Sequence, residues 1–589
     1  MQGRTKTAWN LGLLYKSLKD PQIDRDMCAI EHSIEVFAKK YTKDSSYMKS
    51  EGSLLQALKS YEKLSNSFTS KPILYPHYTK ELDSLNIEAE SLLRRLEDRF
   101  TKAGNQIIFF SLNLGKIEPR LQKQFLKSGR LRKYRYMLER IWQTAKYDKT
   151  EPEEKILSLL SQPSYGLWVE GLEKSLSKRS VSYKNKKIPL TEGENLIRSL
   201  RTQKERLKLW HGVIEEYKSV SDFAESELNA VVIGKKIRDE IRGYKTPEEA
   251  TIIGYENEPE TVDTLVREVT KAFDISRDFY ALKAKLMKEK KLTYADRSVP
   301  LKSTFQKVDF SKAVRMVDES FGSLHSRYAD ILRSFLKNGQ IDVYPKKGKA
   351  GGAYCSSSHK LPTFVLLNHV NDFSSLLTLA HEMGHAIHGE RSRGQGVLYE
   401  GYSTAVAETA STFFETAVFD RVTRSLPSKE RVAAIHNRIQ DEVQTVFRQI
   451  AFYNFEKELH ASIRKEGSVS KERVVSMLVK HLKSYMGEKV ELTVEDGYQF
   501  VTVSHFRRFF YVYSYAFGQL IARALLKEVK KNPKFIDKVD VFLSAGGSAS
   551  PEDIFKNIGI DIRNPKFFAS GLAEIRSELR ELEHLAKDL

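Results

Sequence analysis

Apolar residues recur at three- and four-residue intervals along most of this 589-residue chain, with charged positions between them. That period places the apolar side chains on one face of a helix. It predicts helices over Ile30–Phe37, Leu54–Leu64, Leu82–Phe100, Lys155–Leu160, Leu196–Tyr217 and Phe223–Arg242. Pro259–Met287 is a further long candidate, with the proline and acidic first turn of a helix start. Another helix is predicted near Gly571–Leu589, packing on the larger domain. Two-residue alternation is scarce. Val181–Thr191, with Pro189, reads as an extended or loop region and marks a boundary. A small sheet is predicted around Ile341–Asn368. Its clearest strand is Lys360–Asn368, apolar and β-branched between Gly/Ser-rich and Asn/Asp-rich flanks. The expectation is a mainly α fold, with a helical N-terminal domain at 1–185 and a larger helical domain at 186–589.

Composition narrows the class. Hydrophobic residues make up 41% of the chain, enough for a sizeable core. No run of eighteen apolar residues suggests a transmembrane helix. Met1-Gln2-Gly3-Arg4-Thr5-Lys6 leads into polar sequence without the apolar stretch of a secretory signal. Two cysteines, Cys28 and Cys355, are too few for a disulfide framework. The expected compartment is the cytoplasm. A net charge of +19 raises the idea of a basic nucleic-acid-binding or interaction protein. Lysines and arginines are, however, interleaved with acids, as in Lys283–Lys291, and no nucleic-acid motif accompanies them. A solvated cationic surface is the favoured reading, and its field could draw acidic peptides toward a cleft.

The strongest chemical signal is His381-Glu382-Met383-Gly384-His385, an H-E-x-x-H motif between apolar flanks. On a helix, residues four apart share a face, so both imidazoles can reach one cation while Glu382 accepts a proton from water near it. A metal site of this type needs a third protein ligand. The metzincin pattern fails, because His388 stands where glycine is needed and Arg391 where the third histidine is needed. The alternative is a glutamate on a following helix. Glu408, among Ala, Thr and Val, is the preferred ligand, since a buried carboxylate needs a partner. Glu400, in a Gly-containing loop, is the weaker candidate. Glu415 lies two turns after Glu408 and reads either as an acceptor orienting a ligand imidazole or as a helix end reaching water. His388 reads as a supporting or satisfied core histidine. Gly351 and Gly352 would let backbone approach a ligand closely, or form a plain flexible turn. Lys360–Asn368 would serve as an edge strand pairing with a substrate backbone. Cys355 reads as a small buried residue.

Five segments in order then resemble the oligoendopeptidase F group of the thimet oligopeptidase-like zinc metallopeptidases, over nearly the whole chain. They are Thr7–Tyr15, Gly348–Asn368, Thr378–His388, Val406–Glu415 and His505–Gly518. One departure is Phe414, where the resemblance expects asparagine. The resemblance implies a large helical metallopeptidase with a small sheet beside the H-E-x-x-H helix. It also implies two lobes around a deep channel, with 186–589 as the catalytic domain. One zinc ion per chain would be held by His381, His385 and Glu408, with Glu382 as the catalytic base. His505 and a following tyrosine would hydrogen-bond the substrate carbonyl or oxyanion. On a helix Tyr511 and Tyr515 share a face while Tyr513 points elsewhere, and Tyr511 is preferred. The family segment also makes Gly351, Gly352, Ala353 and Tyr354 substrate-binding candidates, and His388 and Glu415 supporting residues. The substrates would be short unstructured peptides cut internally by a monomer or small homo-oligomer, without nucleic-acid or membrane partners. A metallocarboxypeptidase or dipeptidyl-carboxypeptidase with the same zinc site is the rival, with Arg507 and Arg508 as possible anchors for a terminal carboxylate.

Overall fold

The computed structural model describes residues 5–301 and 307–588. Helices dominate it, and its contacts divide the chain into two compact units. The first comprises Met1–Lys146, Phe305–Val422 and Glu528–Ile558; the second comprises Tyr147–Thr304, Thr423–Lys527 and Gly559–Leu589. Each unit is therefore assembled from three separate stretches. The sequence-based division at 185/186 falls at the turn of a β-hairpin inside the second unit.

In the first unit a three-stranded sheet positions the site. Phe364–Leu366 is its central strand, parallel to Ile341–Asp342 and antiparallel to Tyr354–Ser356. This corrects the expectation that Lys360–Asn368 offers an edge. Both sides of Phe364–Leu366 are hydrogen-bonded, so the edge nearest the metal motif is Tyr354–Ser356. Trp9 pins the sheet: its indole Nε1 donates to the Val365 carbonyl at 2.8 Å, and its backbone N–H donates to Asp342 Oδ2 at 3.2 Å. Trp9 packs with Tyr78 and Phe364 in an apolar core that includes Met27, Leu54 and Phe110. Lys349 is buried beside this sheet, 2.7 Å from Asp342 Oδ1.

The second unit holds the hairpin Ser180–Tyr183/Lys186–Pro189. Lys184 and Asn185 take positive φ at its two-residue turn, the geometry that matches strand twist. A closing helix, Pro565–Leu585, starts earlier than predicted and packs against Pro259–Lys271 and Ser428–Glu442. Three predicted helices are split. Leu82–Phe100 breaks at Asp83–Asn86, where Asn86 caps Ile87–Asn105 by accepting from Ala89 N–H at 2.9 Å. Leu196–Tyr217 breaks before Gln203–Lys218, where Thr202 and Glu205 form a capping box. Pro259–Met287 breaks at Ala272 into two helices. Lys283, read from sequence as part of a solvated charge run, is instead fully buried. It donates to the Arg297 carbonyl and to Gln440, and burial holds its pKa well below the ordinary lysine value.

Candidate metal centre and active site

The H-E-x-x-H motif lies on the helix Phe373–Ser392, which Asp372 caps by accepting from Ser375 N–H at 2.7 Å. Glu408 and Glu415 lie on the helix Thr404–Thr423. Gly384 lets the two helices approach. A Cβ there would stand 2.7 Å from Ser411 Cα and 3.2 Å from both Ser411 O and Phe414 Cβ. The motif's fourth residue therefore has a packing reason to be glycine, independent of chemistry. Phe414 is buried against Phe321 and Tyr328, and Glu415, next in sequence, still faces His381.

Ligand atoms of His381, His385 and Glu408 all lie within 4.8 Å of one another. His381 Nε2 is 3.6 Å from Glu408 Oε2, and His385 Nε2 is 3.8 Å from Glu408 Oε1. These separations exceed a hydrogen bond and leave room for a cation among three donors. Glu415 Oε2 lies 2.9 Å from His381 Nδ1. An Nδ1–H donated there leaves the Nε2 lone pair turned toward Glu408.

The electrostatics match that donor set. Burial opposes a proton on His381, but the hydrogen bond and charge of Glu415, with Glu382 and Glu408 behind it, raise its pKa to about 9. Burial, reinforced by the His381 charge, lowers His385 to about 3 and keeps it a neutral imidazole. Burial pushes Glu382 up to about 7, with His381 opposing and Glu408 and Glu415 adding. Glu408 is raised by burial as well. Three carboxylates thus demand positive charge at one point. A divalent cation there meets that demand and uses both imidazole lone pairs, so the residues present fit a His-His-Glu metal site.

A cavity of about 800 Å³ opens beside these groups. Ala353 and Tyr354, both substrate-binding candidates, line it; Gly351 and Gly352 do not and are exposed. Gly352, at φ +75°, instead faces a neighbouring cavity of about 300 Å³, and its carbonyl accepts from Asn368 Nδ2 at 2.8 Å. Cys355 also lines the larger cavity, and burial pushes its thiol pKa up, which keeps it protonated. Residues the sequence did not single out complete the wall: His359, Arg393 and Tyr402. His359 Nδ1 lies 2.6 Å from Glu400 Oε2 and its Nε2 2.9 Å from Asn66 Oδ1. Glu400, the weaker ligand candidate, is therefore engaged away from the metal group. His359 and Tyr402 come from loops and Arg393 from the short 3-10 helix Arg393–Gln395; the one signal was the concentration of five of the fourteen histidines between His359 and His388. His388 departs from expectation. Its ring stacks on Tyr402 with centroids 3.6 Å apart and planes 5° apart, and neither buried nitrogen has a hydrogen-bond partner. It supports the wall by stacking, without orienting a ligand.

His505 and Tyr511 lie in the second unit. They do not share a regular helix: Phe509 and Phe510 take φ of 48° and 62°, and the helix Tyr513–Lys531 begins only afterwards. Bulky residues rarely adopt that conformation, and several contacts hold it. Thr251 Oγ1 donates to the Phe509 carbonyl at 2.9 Å, and Phe510 N–H donates to Glu456 Oε1 at 3.0 Å. Buried Arg507 binds Glu227 through Nε at 3.0 Å and Nη2 at 2.7 Å. The result brings His505 Nδ1 within 2.5 Å of Tyr511 OH, with Tyr515 OH 3.4 Å further on. Tyr513 points elsewhere, its hydroxyl donating to Asn257 at 2.9 Å. Burial, with the charges of Arg448 and Arg508, lowers His505 to about 4.

Residues 196–574 match the profile described as "Peptidase family M3", and residues 113–170 match one described as "Oligopeptidase F". The chain is 26% identical over 528 residues to oligopeptidase PepF of Bacillus subtilis, covering 87% of this chain and 78% of that protein. It is 24% identical to an oligoendopeptidase F homolog of Borreliella burgdorferi, covering 98% of each. Its fold is similar to a crystal structure from Chlamydophila abortus at TM-score 0.86 and 23% identity, covering 98% of each chain. It is also similar to oligoendopeptidase-F from Enterococcus faecium at TM-score 0.71 and 19% identity, covering 96% of this chain and 99% of the other.

Proposed function

The chain belongs to peptidase family M3 as a metallo-oligopeptidase, and from that premise we propose that it is a zinc-dependent, cytoplasmic endopeptidase cutting short unstructured peptides. The observation that carries the zinc site is the convergence of His381, His385 and Glu408 within 4.8 Å, beside buried Glu382. Two imidazoles and one carboxylate make the donor set of thermolysin-like zinc sites. His381, His385 and Glu408 would hold the zinc, which would supply a lowered water pKa, toward ~7, and Lewis acidity. Glu382 takes the proton of the attacking water and passes it to the leaving amine. Burial holds its carboxyl above the ordinary glutamate range, which favours accepting a proton. Glu415 fixes the His381 tautomer. His505 and Tyr511 serve as donors to the developing oxyanion; their mutual hydrogen bond supports acting as a unit. The free edge of Tyr354–Ser356, beside Ala353 on the cavity wall, supports pairing with an extended peptide backbone. Backbone pairing is indifferent to side chains and fits a broad peptide range.

The carboxypeptidase alternative loses one of its anchors, because Arg507 is buried and paired with Glu227. Of the two anchors the sequence offered, Arg508 is the exposed one. A peptide blocked as its C-terminal amide should still be cut internally; release of C-terminal residues only from the free acid would favour the exopeptidase. Glu382→Gln tests the site directly. It should retain one zinc per chain and lose at least ~10² in kcat, the usual scale of acid–base catalysis. Near-normal turnover in that variant sinks the assignment.

A further inference from the structure

We propose that the second unit holds a binding site for one compact inorganic anion, independent of the peptidase centre. A cavity of about 140 Å³ is lined by Arg297, Arg448, Gln499, Thr502, Ser298 and Trp210. Arg198 also lines it; for Arg297 and Arg448, among the described residues, no carboxylate oxygen lies within 4.0 Å of the guanidinium. Buried arginines of the same unit differ. Arg206 lies 2.6 Å from Asp296, Arg507 2.7 Å from Glu227, and Arg523 2.8 Å from Glu578. Arg297 instead stacks 4.0 Å from the Tyr294 ring centroid and 4.9 Å from that of Trp210, and Arg448 stacks 4.4 Å over Phe452. Aromatic faces hold a guanidinium by its plane and leave its edge for polar partners; Arg297 gives Nη1 to the Tyr294 carbonyl at 2.9 Å.

Two unmatched donors mark where that edge is needed. Among the described residues, buried Arg448 Nε has no hydrogen-bond partner. Gln499 is 2% exposed; its Oε1 accepts from Tyr294 OH, and its buried Nε2 has no partner among the described residues. A buried donor without an acceptor is costly, and an anion in the cavity between these residues would accept from both. One carboxyl shares the wall, that of Glu194. It accepts from Tyr217 OH, and burial pushes its pKa up, with the Tyr217 hydrogen bond and the Arg297 charge opposing. The cavity has room for a small anion with accompanying water, which suits chloride or an oxyanion such as phosphate. Gln499, Thr502 and Val503 lead directly to His505, so the ligand would brace the segment that carries it.

The test uses the full chain at fixed ionic strength. Sodium gluconate, too bulky for the cavity, is replaced stepwise by sodium chloride in one arm and sodium phosphate in the other, with thermal unfolding as the readout. A saturable rise of about 1–3 °C is expected in at least one arm, and the responding arm identifies the ion. Arg448→Gln should raise the half-saturating concentration at least tenfold, while the exposed control Lys43→Gln leaves it unchanged. Equal responses in Arg448→Gln and the unmutated chain, or rises that never saturate, overturn the site. Should Arg448→Gln fail to fold, Arg297→Gln takes its place. Crystals of the unmutated chain soaked in sodium bromide give a second readout: an anomalous peak between the Arg297 and Arg448 guanidinium groups supports the site, and its absence at saturating bromide refutes it.

Discussion

Replacing Gly384 by alanine should destabilise the metal centre although it touches no ligand. A Cβ at this position meets Ser411 Cα at 2.7 Å, where carbon atoms prefer about 3.5–4.0 Å. The obstacle is backbone of the second ligand helix, so relief requires Phe373–Ser392 and Thr404–Thr423 to separate by about 1 Å. Overpacking of this kind costs ~1–3 kcal/mol, offset by ~1 kcal/mol from the better helix propensity of alanine. His381 and His385 ride on one helix and Glu408 on the other, and metal–ligand distances tolerate only about ±0.2 Å. Metal affinity should therefore fall more than tenfold while far-ultraviolet circular dichroism is unchanged. The assay is zinc competition against a chromophoric chelator, with thermal unfolding with and without zinc. The opposing outcome is sharp. Without a tight helix contact, propensity alone acts, and Gly384→Ala raises apo stability by ~1 kcal/mol with unchanged zinc affinity. That pair of results would refute the packing argument.

Glu415→Gln should cost 10–100-fold in zinc affinity, the usual weight of a carboxylate orienting a metal-ligating imidazole; chelator competition checks it, and unchanged affinity refutes it. Tyr511→Phe should lower kcat by ~10²-fold, the scale of one lost oxyanion donor, with zinc content unchanged; an effect confined to KM counts against that role. Glu456 gives a pH signature. Burial holds its folded pKa at about 8 against 4.5 unfolded. As pH rises through 4.5 the unfolded chain releases this proton first, so the stabilisation present below 4.5 is lost progressively until pH 8. At 1.36 kcal/mol per unit the ceiling is ~5 kcal/mol. Glu456→Gln keeps an acceptor for Phe510 N–H but not the titration. Its Tm advantage over the unmutated chain should grow between pH 5 and pH 8; a pH-independent difference refutes the reading.

Local pattern alone determined the helical class of this chain and the metal motif. Both are short-range properties: the 3.6-residue period marks helices, and the four-residue spacing of His381 and His385 fixes one face. Glu408 was a legible candidate because a carboxylate among small apolar residues needs a partner. Helix breaks were harder, since Ala272 carries no cap signature, although Asn86 and the Thr202/Glu205 box were signals in plain view. Tertiary structure decided the rest. Strand order made Phe364–Leu366 central and Tyr354–Ser356 the edge, because pairing depends on segments distant in sequence. Stacking on Tyr402 set the role of His388. Clamping by Glu227, Thr251 and Glu456 put left-handed backbone at Phe509 and Phe510, replacing the helix that i, i+4 spacing implied for Tyr511 and Tyr515. Periodicity reports which face a residue occupies; which neighbour meets that face depends on how non-adjacent stretches pack, and three such stretches build each unit here.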